Sequence, residues 1–176
     1  MTPREGTAQD GLARPTIRAM TDTRELLEKS AVFAHLSREQ LARVEALGRR
    51  VSFQEGQLLL EEDTAGDGCF FLLEGRLEVE VRSPFAGRPP QRLATVHPGE
   101  LVGELSLVDG HLRSASVRAL EAGEALELSN EALLGLLERE PEIGYRVMKN
   151  LAHQLAQRIR STNMKLRNAL MDVLYY

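Results

Sequence analysis

The sequence LVGELSLVDGHLRSASV, residues 101–117, decides the fold of this chain. It begins as the end of an apolar strand, which Gly103 breaks. A short helical turn is predicted to start at Glu104, and Asp109-Gly110 ends it because Asp-Gly is a strong turn signal. Arg113 then leads into a second apolar strand. One carboxylate and one guanidinium are therefore brought to the same small loop from opposite ends.

These residue types suit a sugar phosphate. A carboxylate beside a glycine, here Glu104, is a group that accepts a hydrogen bond from a ribose 2′-OH. The guanidinium of Arg113 offers a rigid fork that matches phosphate oxygens, and Ser114 adds a hydroxyl beside it. Free N–H groups at the start of the helical turn also attract an anion. Taken singly, these side chains would be ordinary residues of a solvent-exposed loop, but the whole string is far more specific.

The string from Gly103 to Ala115 resembles the phosphate-binding cassette of the cyclic-nucleotide-binding domain family. That family includes catabolite-activator-type regulators and the regulatory subunits of cAMP-dependent protein kinase. The Gly-Glu pair and the Arg nine residues after the Glu match the cassette without a gap. The resemblance implies a 3′,5′-cyclic nucleotide, cAMP or cGMP, as ligand, with no cofactor and no metal. It implies phosphate and ribose contacts from Gly103, Glu104, Leu105, Ser106, Arg113, Ser114 and Ala115, with Val102 in the pocket wall.

The chain from residue 51 to 129 has the pattern of a β-barrel. Apolar residues alternate with a period of two, and glycine turns separate about eight short segments, which predicts an eight-stranded antiparallel β-barrel or jelly roll. Helices are predicted over residues 21–48, with Thr21 or Thr23 as the first cap and Ser37 as the second. Ser129 is predicted to cap a further helix over 129–138. The fold class is therefore α+β, with N-terminal helices and a long C-terminal helix flanking the barrel.

The predicted organisation has three parts. Residues 1–20 are polar with scattered Pro and Gly, which predicts a flexible tail. Residues 21–140 are predicted to form the cyclic-nucleotide-binding domain. Residues 141–176 are predicted to form a long helix that acts as a lid and in dimerisation. One departure from the family pattern is Glu62-Asp63, where the family usually has Gly-Asp. Gly66 is expected to take the role of that glycine in the turn a few residues later.

The long helix carries a heptad pattern. Its stretch of about 34 residues would be about 50 Å long and would overhang one small barrel. Packing on the barrel explains the part near Met148, whereas the distal half predicts a homodimer. Thr162-Asn163 resembles the stretch that contacts adenine in the transcriptional members, which makes these two residues the candidates for base contacts. One side of the predicted seam consists of Tyr145, Ala152, Ile159, Leu166 and Val173.

Composition limits the other possibilities. The chain has 176 residues, a net charge of −4, 43% hydrophobic residues and a single cysteine. It has no apolar run long enough for a membrane span and no signal-peptide pattern, so a cytoplasmic protein without a membrane partner is expected. The lone Cys69 suits a reducing compartment. The four histidines show no metal-ligand spacing.

The function predicted from these features is that of a stand-alone, non-enzymatic sensor. No Gly-x-Ser-x-Gly, Walker loop or His-Glu-x-x-His motif is present. No helix-turn-helix motif follows the long helix, so DNA is not an expected partner. Occupancy of the pocket would be relayed through the helix to an unknown effector protein. The alternative is a structural or regulatory dimerisation module with a weak or unused nucleotide site.

Overall fold

The computed structural model describes residues 22–174, so the predicted tail over residues 1–20 lies outside the described residues. Within them, no helix has the length and hydrophobicity that a membrane crossing requires. The helices are α1 (Thr23–Lys29), α2 (Arg38–Leu47), α3 (Leu105–Asp109), α4 (Asn130–Arg139) and α5 (Pro141–Leu174). The strands are β1 (Arg49–Phe53), β2 (Leu58–Leu60), β3 (Gly68–Glu74), β4 (Leu77–Val81), β5 (Gln91–Val96), β6 (Leu101–Val102), β7 (Ser116–Ala119) and β8 (Gly123–Ser129).

The eight strands lie in two four-stranded sheets whose neighbouring strands are all antiparallel. The first has the order β1-β8-β3-β6 and the second has the order β2-β7-β4-β5. The predicted α+β fold, a jelly roll flanked by N-terminal helices and a long C-terminal helix, is confirmed. The core between the sheets consists of Phe53, Leu60, Leu72, Leu77, Val96, Val102, Val117, Ala119 and Ala125.

A second core lies between the first sheet and the helices. Alternate residues of a strand point to opposite faces, and β3 accordingly directs Leu72 between the sheets and Phe71 towards the helices. Phe71 packs edge-on against Phe33, with the ring centroids 5.8 Å apart. The helical side of this core also includes Leu27, Leu41, Val44, Leu133, Ile143, Val147 and Leu151. The jelly roll therefore carries its helices on one side.

The helix starts follow side-chain capping. Ser37 caps α2 and Ser129 caps α4, as predicted, and Gln40 completes a capping box with Ser37. The predicted cap of the first helix is wrong. Asp22 caps α1, because its carboxylate accepts the backbone N–H two residues on, whereas Thr23 lies inside the helix and is buried. Each cap satisfies N–H groups that the first helical turn leaves without partners.

The long helix α5 packs on the rest of the chain only over its first part. Ile143, Val147 and Leu151 are at most 1% exposed. At Gly144 an added Cβ would lie 2.5 Å from the carbonyl oxygen of Leu137, so α4 and α5 approach each other too closely for a larger residue. Beyond residue 156 every side chain of the helix up to residue 171 is exposed. The helix therefore has a packed proximal half and an overhanging distal half.

Candidate functional site

The site is built on the turn that follows β6. Gly103 has φ +85°, and an added Cβ would lie 2.9 Å from both Nη1 of Arg113 and Cδ1 of Leu60. A side chain at this position would therefore clash and strain the backbone, since L-residues rarely adopt such a φ. The short helix α3 follows, and Gly110 ends it in the left-handed conformation at φ +67°. The predicted strand end, glycine break and helical turn are all present.

Arg113 lies at the centre of the site with a side chain that is 5% exposed. Its Nη1 donates to the carbonyl oxygen of Gly103 at 2.9 Å and to Oγ of Ser106 at 2.8 Å. Its Nη2 donates to the carbonyl oxygen of Gly68. A guanidinium has five N–H groups, so these bonds leave Nε–H and one Nη2–H for another acceptor. Hydrogen bonds to other parts of the protein therefore fix the side chain of Arg113, and two of its N–H groups have no hydrogen bond among the described residues.

The main chain around Arg113 is also fixed. Its N–H donates to the carbonyl oxygen of Thr64 at 2.8 Å, and its carbonyl accepts from the N–H of Asp63 at 2.9 Å. Asp63 has φ +64°, a conformation that Asp tolerates better than most side chains. The turn that departs from the family pattern at Glu62-Asp63 is therefore formed without a glycine, and it holds the backbone of the arginine.

The charge of Arg113 is only weakly compensated. Burial lowers the pKa of its guanidinium, while the nearby carboxylate of Asp67 acts in the opposite direction. The Asp67 carboxylate lies 3.9 Å from Nη2 on a fully exposed side chain, where water screens it. An arginine stays protonated even so. A buried cation in this position favours an anionic ligand.

Glu104 is the buried carboxylate of the cassette and is 4% exposed. Its Oε1 accepts a hydrogen bond from Nη1 of Arg158 at 2.6 Å, which connects the cassette to α5. Glu104 precedes α3 directly, but its side chain makes no capping bond to that helix. Its carboxylate is therefore directed towards the long helix. Since Arg158 is 57% exposed, this ion pair is partly screened by water.

A cavity of about 310 Å³ opens beside Arg113. This volume lies at the lower end of the range for small-molecule sites, about 300–1,000 Å³. The apolar strand β2 lines the cavity, together with two acidic residues, Glu61 and Asp67. Val102, predicted for the pocket wall, is buried in the core between the sheets and does not line this cavity, so its place in the ligand site stays a prediction. The lining residues are Leu58, Leu59, Leu60, Glu61, Thr64, Ala65, Asp67 and Arg113.

The other predicted residues divide into two groups. Ser106 is buried against Arg113, Leu105 is half-buried on α3, and Ser114 and Ala115 follow the arginine directly at the entry to β7. Thr162 and Asn163 are exposed on the distal part of α5 and do not line the cavity. The helix contacts the cassette four residues before Thr162, at Arg158. The candidates for base contacts therefore remain predictions.

Four residues near the site were not singled out from the sequence for their contacts there. Arg158 and Asn130 reach the cassette from helices that are distant along the chain. Gly66 was assigned only to a turn, yet a Cβ there would lie 2.3 Å from the side chain of Ser106, and Asp67 approaches the guanidinium of Arg113. No sequence pattern marks such contacts, because each depends on how the two sheets and the helices assemble.

The buried thiol near the site has no exposed surface. Cys69 is 0% exposed, and burial raises its pKa to about 12. The proton therefore stays on sulfur at neutral pH, and a neutral buried thiol behaves as a small apolar side chain. Across residues 22–174, no group of three or more His, Cys, Asp or Glu side chains is placed to hold a metal ion.

These features define a class of protein: a jelly roll with a glycine turn, a buried carboxylate and a buried arginine that lines a small cavity, suited to a sugar phosphate. The family model described as "Cyclic nucleotide-binding domain" matches residues 50–140. That match covers just over half of the chain and includes every cassette residue. The chain belongs to the cyclic nucleotide-binding domain family.

Similar proteins agree with this assignment. The "Cyclic AMP receptor protein" of Thermus thermophilus is 31% identical over 140 residues, which are 80% of this chain and 62% of that protein. A "CRP-like cAMP-activated global transcriptional regulator" of Mycobacterium tuberculosis is 26% identical and is covered to 63%. The chain thus spans about three fifths of the length of these curated relatives. A cyclic nucleotide-binding domain from Methylobacillus flagellatus has a similar structure, with a TM-score of 0.69, 28% identity and coverage of 80% of this chain and 78% of that one.

Proposed function

We propose that this chain binds a 3′,5′-cyclic nucleotide, cAMP or cGMP, in the cavity beside Arg113. The observation that carries the proposal is the buried guanidinium, which is held by three internal hydrogen bonds and keeps two donors for a ligand. A buried charge is costly unless it is paired. A cyclic phosphate would supply the missing anion in a geometry that the arginine fork fits.

The ribose would bind beside the phosphate. Arg158 contacts Oε1 of Glu104, so Oε2 is the oxygen that would accept from the ribose 2′-OH. The turn at Gly103 brings the backbone close to the ligand, and the backbone and side chains of Leu105, Ser106, Ser114 and Ala115 complete the phosphate and ribose contacts. The base would then face α5, with Thr162 and Asn163 as the proposed polar contacts.

The long helix would serve as a lid. The hydrogen bond from Arg158 to Glu104 supports this role, because it already links the helix to the carboxylate proposed for the ribose. Docking of residues from about 157 to 168 over the base would follow ligand binding, and the lid could come from the same chain or from the partner. The shift in population is limited by the differential affinity of the ligand for the two helix positions.

Dimerisation and signalling complete the proposal. The exposed apolar side chains of the distal helix support a homodimer, and the position of that helix would be read by a separate effector protein. Residues 21–140 would be the binding domain and residues 141–176 the lid and dimerisation segment. No catalytic step and no DNA contact are part of this function.

A second candidate is a regulatory or structural dimerisation module whose nucleotide site is weak or unused. Two acidic residues that line the cavity, Glu61 and Asp67, favour this alternative because their negative charge opposes an incoming phosphate. The two candidates differ in whether the isolated protein binds a cyclic nucleotide at all.

Calorimetric titration of nucleotide-stripped protein with cAMP and with cGMP distinguishes them. The Arg113→Ala variant should lose about tenfold to more than a hundredfold in affinity, because charge-assisted hydrogen bonds contribute roughly 1.5–3 kcal/mol each. A matched control is Arg76→Ala, which removes an arginine that pairs with Glu121 and does not line the cavity. Equal affinity of Arg113→Ala and wild type would contradict the assignment of the arginine. Absence of binding to either nucleotide would favour the second candidate.

A further inference from the structure

A buried polar side chain that the binding proposal does not use lies under the cassette. Asn130, the first residue of α4, is 9% exposed. Its backbone N–H donates to the carbonyl oxygen of Asp67 at 2.8 Å, and its Nδ2 donates to the carbonyl oxygen of Gly66 at 3.0 Å. The same Nδ2 lies 3.4 Å from Oγ of Ser106 on α3. Asn130 thus links the loop at residues 66–67 to the cassette helix.

The hydroxyl of Ser106 is fully used in this network. It donates to the carbonyl oxygen of Gly103 at 3.1 Å and accepts from Nη1 of Arg113 at 2.8 Å and from Nδ2 of Asn130 at 3.4 Å. A serine hydroxyl has one donor and two acceptor lone pairs, so all of its capacity is taken. The contact with Asn130 therefore helps to fix the direction in which Ser106 receives Arg113.

The orientation of the Asn130 amide is determined by its surroundings. The carbonyl oxygen of Gly66 only accepts, so the nitrogen must face it, and Oδ1 must face the other way. There Oδ1 is buried and has no hydrogen-bond partner within residues 22–174. An unpaired buried carbonyl opposes folding. Such a group in a native structure calls for an explanation.

A purely structural role does not account for this side chain. The first turn of α4 is capped by Ser129, and the loop at residues 66–67 is already held by the backbone hydrogen bond from Asn130 to Asp67. Gly66 also lies directly against the side chain of Ser106, so a Cβ added at Gly66 would clash with it. The side-chain amide adds two contacts, one to the carbonyl oxygen of Gly66 and one to Oγ of Ser106, and the second of these reaches the cassette helix.

We propose that Asn130 is a positioning residue for Arg113. It holds Oγ of Ser106, and through that oxygen it holds the Nη1 side of the guanidinium, so that Nε–H and the remaining Nη2–H face the cavity. The inference rests on the proposed binding of a cyclic phosphate by Arg113. It adds a contact between the start of α4 and the phosphate site.

A double-mutant cycle tests the proposal. Wild type, Asn130→Ala, Ser106→Ala and the double variant are titrated with the cyclic nucleotide that wild type binds more tightly. Asn130→Ala should weaken affinity about two- to tenfold, the effect of one ordinary hydrogen bond. In the Ser106→Ala background, the same substitution should change affinity by less than about twofold, because the intermediary oxygen is gone. Fully multiplicative losses would overturn the route through Ser106.

A spectroscopic measurement separates positioning from general destabilisation. In ¹⁵N-labelled protein, hydrogen bonding at Nη1 should slow rotation of the Arg113 guanidinium and give resolved Nη proton signals. Asn130→Ala should broaden or average these signals at a temperature well below its unfolding transition. A merely structural residue would lower the melting temperature and leave the Arg113 signals unchanged, which would overturn the proposal.

The remaining outcomes of these experiments also test the positioning role of Asn130. If Asn130→Ala does not fold, Asn130→Asp keeps the shape and places an oxygen against Oγ of Ser106, so it should weaken binding at least tenfold. Unchanged affinity in this variant would contradict the positioning role. If wild type binds neither cyclic nucleotide, the proposed function fails and the role of Asn130 fails with it. If wild type binds and the Asn130 variants bind equally well, only the positioning role is wrong.

Discussion

The two halves of α5 have the same secondary structure but different environments. In the proximal half, Ile143, Val147 and Leu151 are at most 1% exposed. In the distal half, Ile159 is 60% exposed and Leu166 is 58% exposed. Apolar periodicity therefore identifies a helix face without saying what covers it. The proximal face is covered by the chain's own core, whereas the distal face is exposed on this chain.

The boundary between the halves lies at the candidate site. Arg158 follows the last buried residue, Leu151, by seven residues, or about 10 Å along the helix axis. It is also the residue that contacts Glu104. The position of the distal half is therefore linked to the cassette at the point where packing on the core ends, which is where a ligand could influence it.

The largest effect is expected from removal of the distal half. A chain truncated after Ala156 should run as a monomer in light scattering, whereas the full chain should run as a dimer. A dimer with a micromolar dissociation constant corresponds to about 8 kcal/mol of association free energy, and truncation removes the exposed apolar seam that would supply it. A matched variant of full length is Ile159→Asp with Leu166→Asp. A full chain that is monomeric at high concentration would contradict the dimer.

A pair of leucine substitutions compares the halves directly. Leu151→Ala should lower the free energy of unfolding by about 2–5 kcal/mol, because it leaves a cavity in the core. Leu166→Ala should change it by less than about 0.5 kcal/mol in monomeric protein, as exposed substitutions usually do. Urea unfolding at low protein concentration measures both.

Either of two results would contradict the contrast between a packed proximal half and an exposed distal half of α5. Similar losses in the two variants at low concentration would mean that the distal half also packs on its own chain. A small loss in Leu151→Ala would mean that the proximal half of α5 is not part of the core.

Features formed by residues close together in the sequence were predictable, whereas contacts between residues far apart in the sequence were not. The cassette turn was predicted because its signals, Gly103 and Asp109-Gly110, lie within a few residues of each other. The contact between Glu104 and Arg158 joins residues 54 positions apart. That between Ser106 and Asn130 spans 24 positions. Sequence patterns that span a few residues do not predict such pairs, because the residues come together only when the sheets and helices assemble.

The face of α5 that packs on the core was also not predictable from the sequence pattern alone. The predicted seam begins at Tyr145, which is 67% exposed, whereas the proximal half packs through Ile143, Val147 and Leu151. A heptad pattern does not distinguish a face that meets a partner from one that meets the core, since both are apolar. The side chain of Val173, at the end of the predicted seam, lies outside the described residues.

A smaller effect is expected in the exchange of amide hydrogens of α5. Saturation with cyclic nucleotide should raise protection from about Gln157 to Asn168, since docking of the lid would couple these amides to the site. Coupling free energies of this kind are about 1–3 kcal/mol, or roughly 5–150-fold in exchange rate. Amides around Val147 serve as the internal control, because this part of the helix is buried in the core. Increased protection only from Gly103 to Ala115 would make the helix a scaffold and not a switch.

The smallest effect is expected at the boundary residue itself. Arg158→Ala should lower affinity for the ribose form of the cyclic nucleotide by up to about fivefold, since ion pairs with an exposed partner contribute about 0.2–1 kcal/mol. The loss should be smaller for the 2′-deoxy form, because the arginine acts on the carboxylate that accepts from the 2′-OH. Competitive titration of both ligands on wild type and variant measures the difference.

The control for this prediction is Arg160→Ala, which removes the same charge from an exposed position two residues along the helix. It should leave the ratio of ribose to 2′-deoxy affinity unchanged, since any general effect of net charge acts on both ligands alike. Tighter binding by Arg158→Ala would show that the arginine competes with the ribose for Glu104. Equal binding of the two ligands by wild type would remove Glu104 from the ribose site, and the boundary between the halves of α5 would then be a matter of packing alone.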